Sequence, residues 1–298
     1  MIKIRQIFSV AGYNFRMWYK NPRIILVFAL AFILCFLLSD KAVRFAVEYE
    51  TTMQIFESFV WTFGDSNSVM LSSLLLIMLF SDMPFLGAAV PFYLYRVERW
   101  IWLAGQFLYI GLGTVVYMLF ILFSTIVCSA RMSFSGDLWS ETAAILGYSG
   151  AGRAVAIPAL VKTLEMSTPY QCTIVIFFLM LFYMLLLMSI MMSVTIKKGS
   201  LGGVISVCVF SIYGFLINPS LFKNLLNLND QQAYVANLWA AWLSPLQHAT
   251  YNMHNFGYDK LPQLWMTFTI FTILIIAFFR ISLQNIHNYN YCFARQET

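Results

Sequence analysis

Six stretches of this chain are apolar for long enough to cross, or nearly cross, a bilayer: 24–39, 69–81, 101–127, 173–196, 202–217 and 264–279. A helix spanning ~30 Å of hydrocarbon needs about 20 such residues. Lipid offers no partner to backbone N–H and C=O groups, so a segment that enters it must satisfy them internally. Pro22 stands just before the first stretch, where its missing N–H costs a helix nothing. Only 10% of residues are charged and 60% are hydrophobic, against roughly 25% charged in a soluble domain, which excludes a water-soluble enzyme and a disordered chain. The expectation is an all-α polytopic membrane protein. It has six transmembrane helices, an N-terminal amphipathic interfacial helix and helical outer segments, and residues 1–298 form a single domain.

Basic residues set the direction of the spans. Lys3, Arg5, Arg16, Lys20 and Arg23 precede span one, Arg96 and Arg99 lie between spans two and three, Lys197 and Lys198 between four and five, and Arg280 and Arg295 in the tail. Most acidic residues fall on the other side, including Asp40, Glu57, Asp137 and Asp259. The formal +5 therefore divides into about +8 on one face and about −3 on the other, which predicts a plasma-membrane protein with both termini cytoplasmic. No small-residue cleavage site follows Ser39 before the charged stretch, so the first span is expected to stay.

In residues 1–21, Ile4, Ile7, Phe8, Ala11, Phe15 and Trp18 recur at offsets of three and four. That is the stripe of a helix lying in the interface. Its basic side can meet anionic lipid or a soluble partner, or the helix can be a plain anchor. Residues 82–100 form the second inner feature. Asp82 at mid-bilayer would cost on the order of 2.5–3.5 kcal/mol, which places it at the inner interface or in a pair with a neighbouring span's polar group. From Pro84 a short helix is expected, ending in the charged tip Tyr95-Arg96-Val97-Glu98-Arg99.

An amphipathic N-terminal helix, six spans, this charged tip and a long outer segment before span six together resemble the permease subunits of type 2 ABC exporters. That family includes polysaccharide, drug and peptide exporters. The run Asp82 to Phe85 departs from the acidic-and-Arg pattern common there. The resemblance implies contacts to a separate ATP-binding cassette ATPase by Arg5, Arg16, Lys20, Asp82, Arg96, Glu98 and Arg99. It also implies a homodimer or a heterodimer with a similar chain. ATP and magnesium would bind on the partner, with no cofactor on this chain. Gly147 to Ala154 has the glycine spacing of a phosphate loop, but Arg153 and Ala154 stand where Lys and Ser/Thr are required.

The outer loops, 128–172 and 218–263, exceed what a connection needs. Tyr234, Trp239 and Trp242 have helical spacing and suggest an interfacial helix, either an outer gate or a passive element. Cys128 and Cys172 stand at outer span ends and form a candidate disulfide, if those ends approach within about 7 Å. His248 and His254 are six apart with no cysteine or carboxylate cluster nearby, so no metal site is expected. A hydrogen-bonded cap outside span six fits them better.

These features predict an export permease rather than an enzyme, moving an amphipathic or apolar cargo such as a peptide, lipid or drug. Nothing points to nucleic acid. Two other classes stay open: a non-transporting immunity or sensor subunit that binds a toxic peptide at its outer loops, and a secondary transporter.

Overall fold

The chain is helical nearly throughout, and the computed structural model describes residues 2–84, 97–154, 157, 160–229, 232–257 and 259–289. Arg96 and most of the expected 82–100 helix lie outside the described residues.

Helix α1 (Ile2–Arg16) leads through a tight turn at Trp18–Lys20 into α2 (Pro22–Glu48). Asn21 starts α2 by accepting the Arg23 N–H on its side-chain oxygen at 3.1 Å. The sequence reading ends span one at Ser39, but the helix continues to Glu48. Ala42, Phe45 and Ala46 are buried along that extension, while Asp40 and Arg44, one turn apart, pair at 2.7 Å. Charges on one side do not end a helix whose other side packs.

The expected second span, 69–81, falls on α4 (Ser66–Leu79), which α3 (Glu57–Phe63) precedes at an angle of 89°. Asp65 makes the corner by accepting the Asn67 N–H at 3.1 Å. Then α5 (Arg99–Ser129) runs unbroken. The loop after it is folded: strand β2 (Ser133–Phe134) pairs in parallel with β1 (Met53–Gln54), and α6 (Glu141–Tyr148), α7 (Ala151–Ala154) and α8 (Val161–Met166) follow.

Helix α9 (Pro169–Lys198) turns at Gly199, φ +84°, into α10 (Ser200–Leu216). After a 60° bend come α11 (Pro219–Leu225), α12 (Ala233–Leu243) and α13 (Leu264–Asn285). Among the described residues four helices (α2, α5, α9 and α13) are long and apolar enough to cross a membrane, and the number reaches six if each bent pair is one span. The molecule is an all-α protein built for a membrane.

Helix α9 sits at the centre, against α3, α4, α5, α10 and α13. Its buried side includes Met180, Met184, Met188, Met191 and Met192, unbranched side chains that fill irregular gaps between helices. Apolar burial gives little drive inside lipid, so close approach and interhelical hydrogen bonds matter more. The Ser193 hydroxyl lies 2.9 Å from that of Ser282 and 2.8 Å from the Phe278 carbonyl, joining α9 to α13.

Candidate functional site

Two polar constellations occupy opposite ends of the bundle. The first gathers at the start of α2 and α5 and the end of α4 and α13. Helix α1 packs on α5 there, through Val10, Ala11 and Asn14. A Cβ on Gly105 of α5 would lie 2.7 Å from Val10 Cβ and 3.1 Å from the Ile7 carbonyl oxygen, so the helices meet nearly backbone to backbone. Asn14 Nδ2 donates to Gln106 Oε1 at 2.9 Å, and Trp18 Nε1 donates to the Tyr109 hydroxyl at 2.8 Å. This corrects the expected stripe. Val10 and Asn14 face the protein, while Ile4 and Phe8 are exposed on another side.

The residues assigned to ATPase contact separate into two groups. Asp82 pairs with Arg23 at 2.5 Å, and the Arg23 guanidinium also donates to Ser81 Oγ at 2.8 Å, tying α2 to the end of α4. Glu98 pairs with Lys3 of α1 at 3.2 Å and accepts the Trp100 indole N–H. That hydrogen bond, with the Lys3 bond and charge behind it, holds its carboxyl below the usual carboxylate range. Arg99 donates to the Ile286 and His287 carbonyls beyond α13. Asp82, Glu98 and Arg99 are thus engaged within the chain, by Arg23 and Lys3 among others, residues that the sequence reading counted among the inner basic charges but did not assign to ATPase contact.

Arg5, Arg16 and Lys20 are exposed. Arg5 and Arg16 line an open cavity of about 530 Å³ with Gln6, Tyr13 and Val97, and neither has an ion-pair partner among the described residues. Lys20 lies over the ring of Tyr19. What the arrangement offers is a basic, partly aromatic recess between α1 and Val97.

The second constellation is a cap built from loops 128–172 and 218–263 with the residues that join α2 to α3. Glu57 is fully buried and accepts both the backbone N–H of Ser140, at 2.8 Å, and its hydroxyl, at 2.6 Å. The hydroxyls of Thr51 and Thr142 are 2.7 Å apart. Lys162 of α8 reaches the second loop, pairing with Asp259 at 2.6 Å and donating to the His254 carbonyl at 2.8 Å, and Thr163 donates to Asn252 at 2.8 Å. Neither loop is a bare connection.

His248 and His254 meet within this cap. His248 Nδ1 and His254 Nε2 each lie 3.0 Å from the hydroxyl of Thr267, on the first turn of α13. His254 Nδ1 faces the Thr250 carbonyl at 3.0 Å, so it carries the hydrogen and leaves Nε2 to accept from Thr267. Burial, then the nearby His248 charge, pushes His254 down to about 4; burial lowers His248 as well. The pair is a neutral hydrogen-bonded cap on α13. Among the described residues no three His, Cys, Asp or Glu side chains gather.

Tyr234, Trp239 and Trp242 all fall on α12 and are partly exposed. The Tyr234 hydroxyl accepts the Lys260 N–H at 2.8 Å, the Trp242 indole donates to the Lys260 carbonyl at 3.3 Å, and Trp239 stacks on Phe222 of α11. Two of the three thus clamp one residue of the loop. Cys128 and Cys172 are both free thiols: Cys128 lies by Ser39 of α2, Cys172 by Ser167 and Tyr251. The candidate disulfide is not formed, because each thiol packs into a different neighbourhood.

Comparison with protein-family models, with curated proteins and with solved structures finds no match.

Proposed function

We propose that this chain is the membrane subunit of an ATP-driven exporter, in which a separate ATPase docks on the α1 face and supplies the ATP and magnesium chemistry. It sits in the cell membrane with both termini cytoplasmic. It works as a homodimer or with a similar chain and moves an amphipathic or apolar cargo outward. One observation carries the reading: α1 is fixed to α5 and linked by Lys3 to Glu98, yet turns Arg5 and Arg16 outward. A subunit that moves against those arginines moves the head of α5 with them. Spans that rock about their packed centre would then convert that push into alternate openings.

The test is copurification of the full chain from its own cells, in mild detergent, with an ATP-binding cassette ATPase. Reversing Arg5 and Arg16 to Glu is expected to lower ATPase recovery at least tenfold, because like charges across an interface repel. A chain that brings down no ATPase, or holds it equally well after reversal, overturns the proposal.

A further inference from the structure

A second cavity, of about 470 Å³, opens between the far half of α2 and the α3–α4 corner, and nothing above uses it. Leu37, Leu38 and Leu71 form its apolar wall, and Lys41, Thr62 and Asp65 bring polar groups to it. Leu37 and Leu71 are exposed, so the cavity opens on the surface that lipid covers.

Depth fixes what that surface meets. Lys41 follows Pro22 on one continuous helix. At 1.5 Å per residue it stands roughly 28 Å from the start of α2, about the thickness of the hydrocarbon core. Lys41 is therefore at headgroup level on the side opposite Arg23.

Its chemistry is unspent. Asp40 and Arg44 satisfy one another, whereas Lys41 has no ion-pair partner among the described residues. Thr62 is 5% exposed, and its hydroxyl has no hydrogen-bond partner. The Asp65 carboxylate caps α4 through one oxygen and lines the same cavity. One cation, one anion and an unmatched hydroxyl beside a leucine wall match a zwitterionic phospholipid. The phosphodiester belongs on Lys41 and Thr62, the ammonium by Asp65, and an acyl chain between Leu37 and Leu71.

We propose that this cavity is a binding site for a phospholipid with a zwitterionic, amine-bearing headgroup, drawn from the leaflet opposite α1. The site is independent of whether the chain exports anything. A buried hydroxyl without a partner is costly to leave unmet, the exposed Lys41 ammonium is free to take an anion, and a bound lipid stabilises the native state by mass action.

The experiment uses the full chain in detergent, titrated with phosphatidylethanolamine, phosphatidylglycerol or tail-less glycerophosphoethanolamine. Bound lipid is counted by native mass spectrometry beside the melting temperature. Phosphatidylethanolamine is expected to bind and raise the melting temperature. Lys41→Met and Thr62→Val should each weaken it about tenfold, and Asp65→Asn should erase its advantage over phosphatidylglycerol. Arg44→Met, one turn away, is the control and should bind as the native chain does. Equal binding by native chain and Lys41→Met overturns the site. Equal stabilisation by glycerophosphoethanolamine also overturns it, since a soluble phosphate would then suffice and the leucine wall would hold no chain.

Discussion

Asn14 reaches Gln106 across 2.9 Å with both side chains shut away from solvent, so the N-terminal helix is bolted to α5 by a polar bond inside an apolar contact. The bond is incomplete: Asn14 Oδ1 and Gln106 Nε2 have no partner. Removing one member strands the other. Asn14→Ala or Gln106→Ala alone should cost about 1–3 kcal/mol, the penalty for a buried polar group left unmet. The double variant Asn14→Leu with Gln106→Leu should lose less than the two singles added. Thermal unfolding of all three in detergent checks this, and strict additivity would refute the coupling.

Gly105 allows the approach itself. A Cβ there meets Val10 at 2.7 Å, closer than real Cβ atoms come, and the Ile7 carbonyl oxygen at 3.1 Å, a tight contact. Gly105→Leu should lift α1 away while leaving the long helices in place. Limited trypsin digestion is the readout, with faster cleavage after Arg5 and Arg16 expected in the variant.

Acid should loosen the cap that holds His248 and His254. His254 titrates near about 4 in the folded chain against 6.5 for an ordinary imidazole, through burial first and the His248 charge second. Between those values the unfolded chain holds a proton that the native chain does not, so stability is full above about pH 6.5 and declines as pH falls towards about 4. The loss is on the order of 3 kcal/mol. Melting temperature followed from about pH 7 to about pH 5 should fall, and His254→Asn should flatten the slope. A profile unchanged by that substitution would remove the histidine from the account.

Cys128 and Cys172 should stay reduced. Migration of the unheated, alkylated chain on gels is expected to be the same with and without reductant, since Cys128 packs by α2 and Cys172 by the cap. Faster migration without reductant, abolished by Cys128→Ser, would show the bridge after all.

The long helices were legible because their apolar runs exceed anything a soluble fold needs, as Pro169–Lys198 illustrates. Where the reading stopped short, a nonlocal contact intervened. Asp40, Lys41 and Arg44 look like the end of a span until Ala42 and Phe45 are seen to pack behind them. Span two carries no sequence mark of a right-angled corner beyond Gly64-Asp65, whose capping role depends on the helix that follows. At the candidate site, the outward direction of Arg5 and Arg16 follows from their place beside the stripe. The engagement of Asp82 by Arg23 and of Glu98 by Lys3 joins residues far apart in the chain, which spacing cannot reveal. The histidines make the same point, since the Thr267 hydroxyl between them comes from another helix.

The cap has a mechanical corollary. Glu57, Lys162 and Thr163 lace loops 128–172 and 218–263 to one another and to α3, and at the opposite end a shielded bolt, Asn14 with Gln106, stands beside a solvent-facing latch, Lys3 with Glu98. Exposed pairs yield readily and shielded ones do not. The latch at the tip of α1 therefore opens before the bolt, and α1 swings about Asn14 without leaving α5.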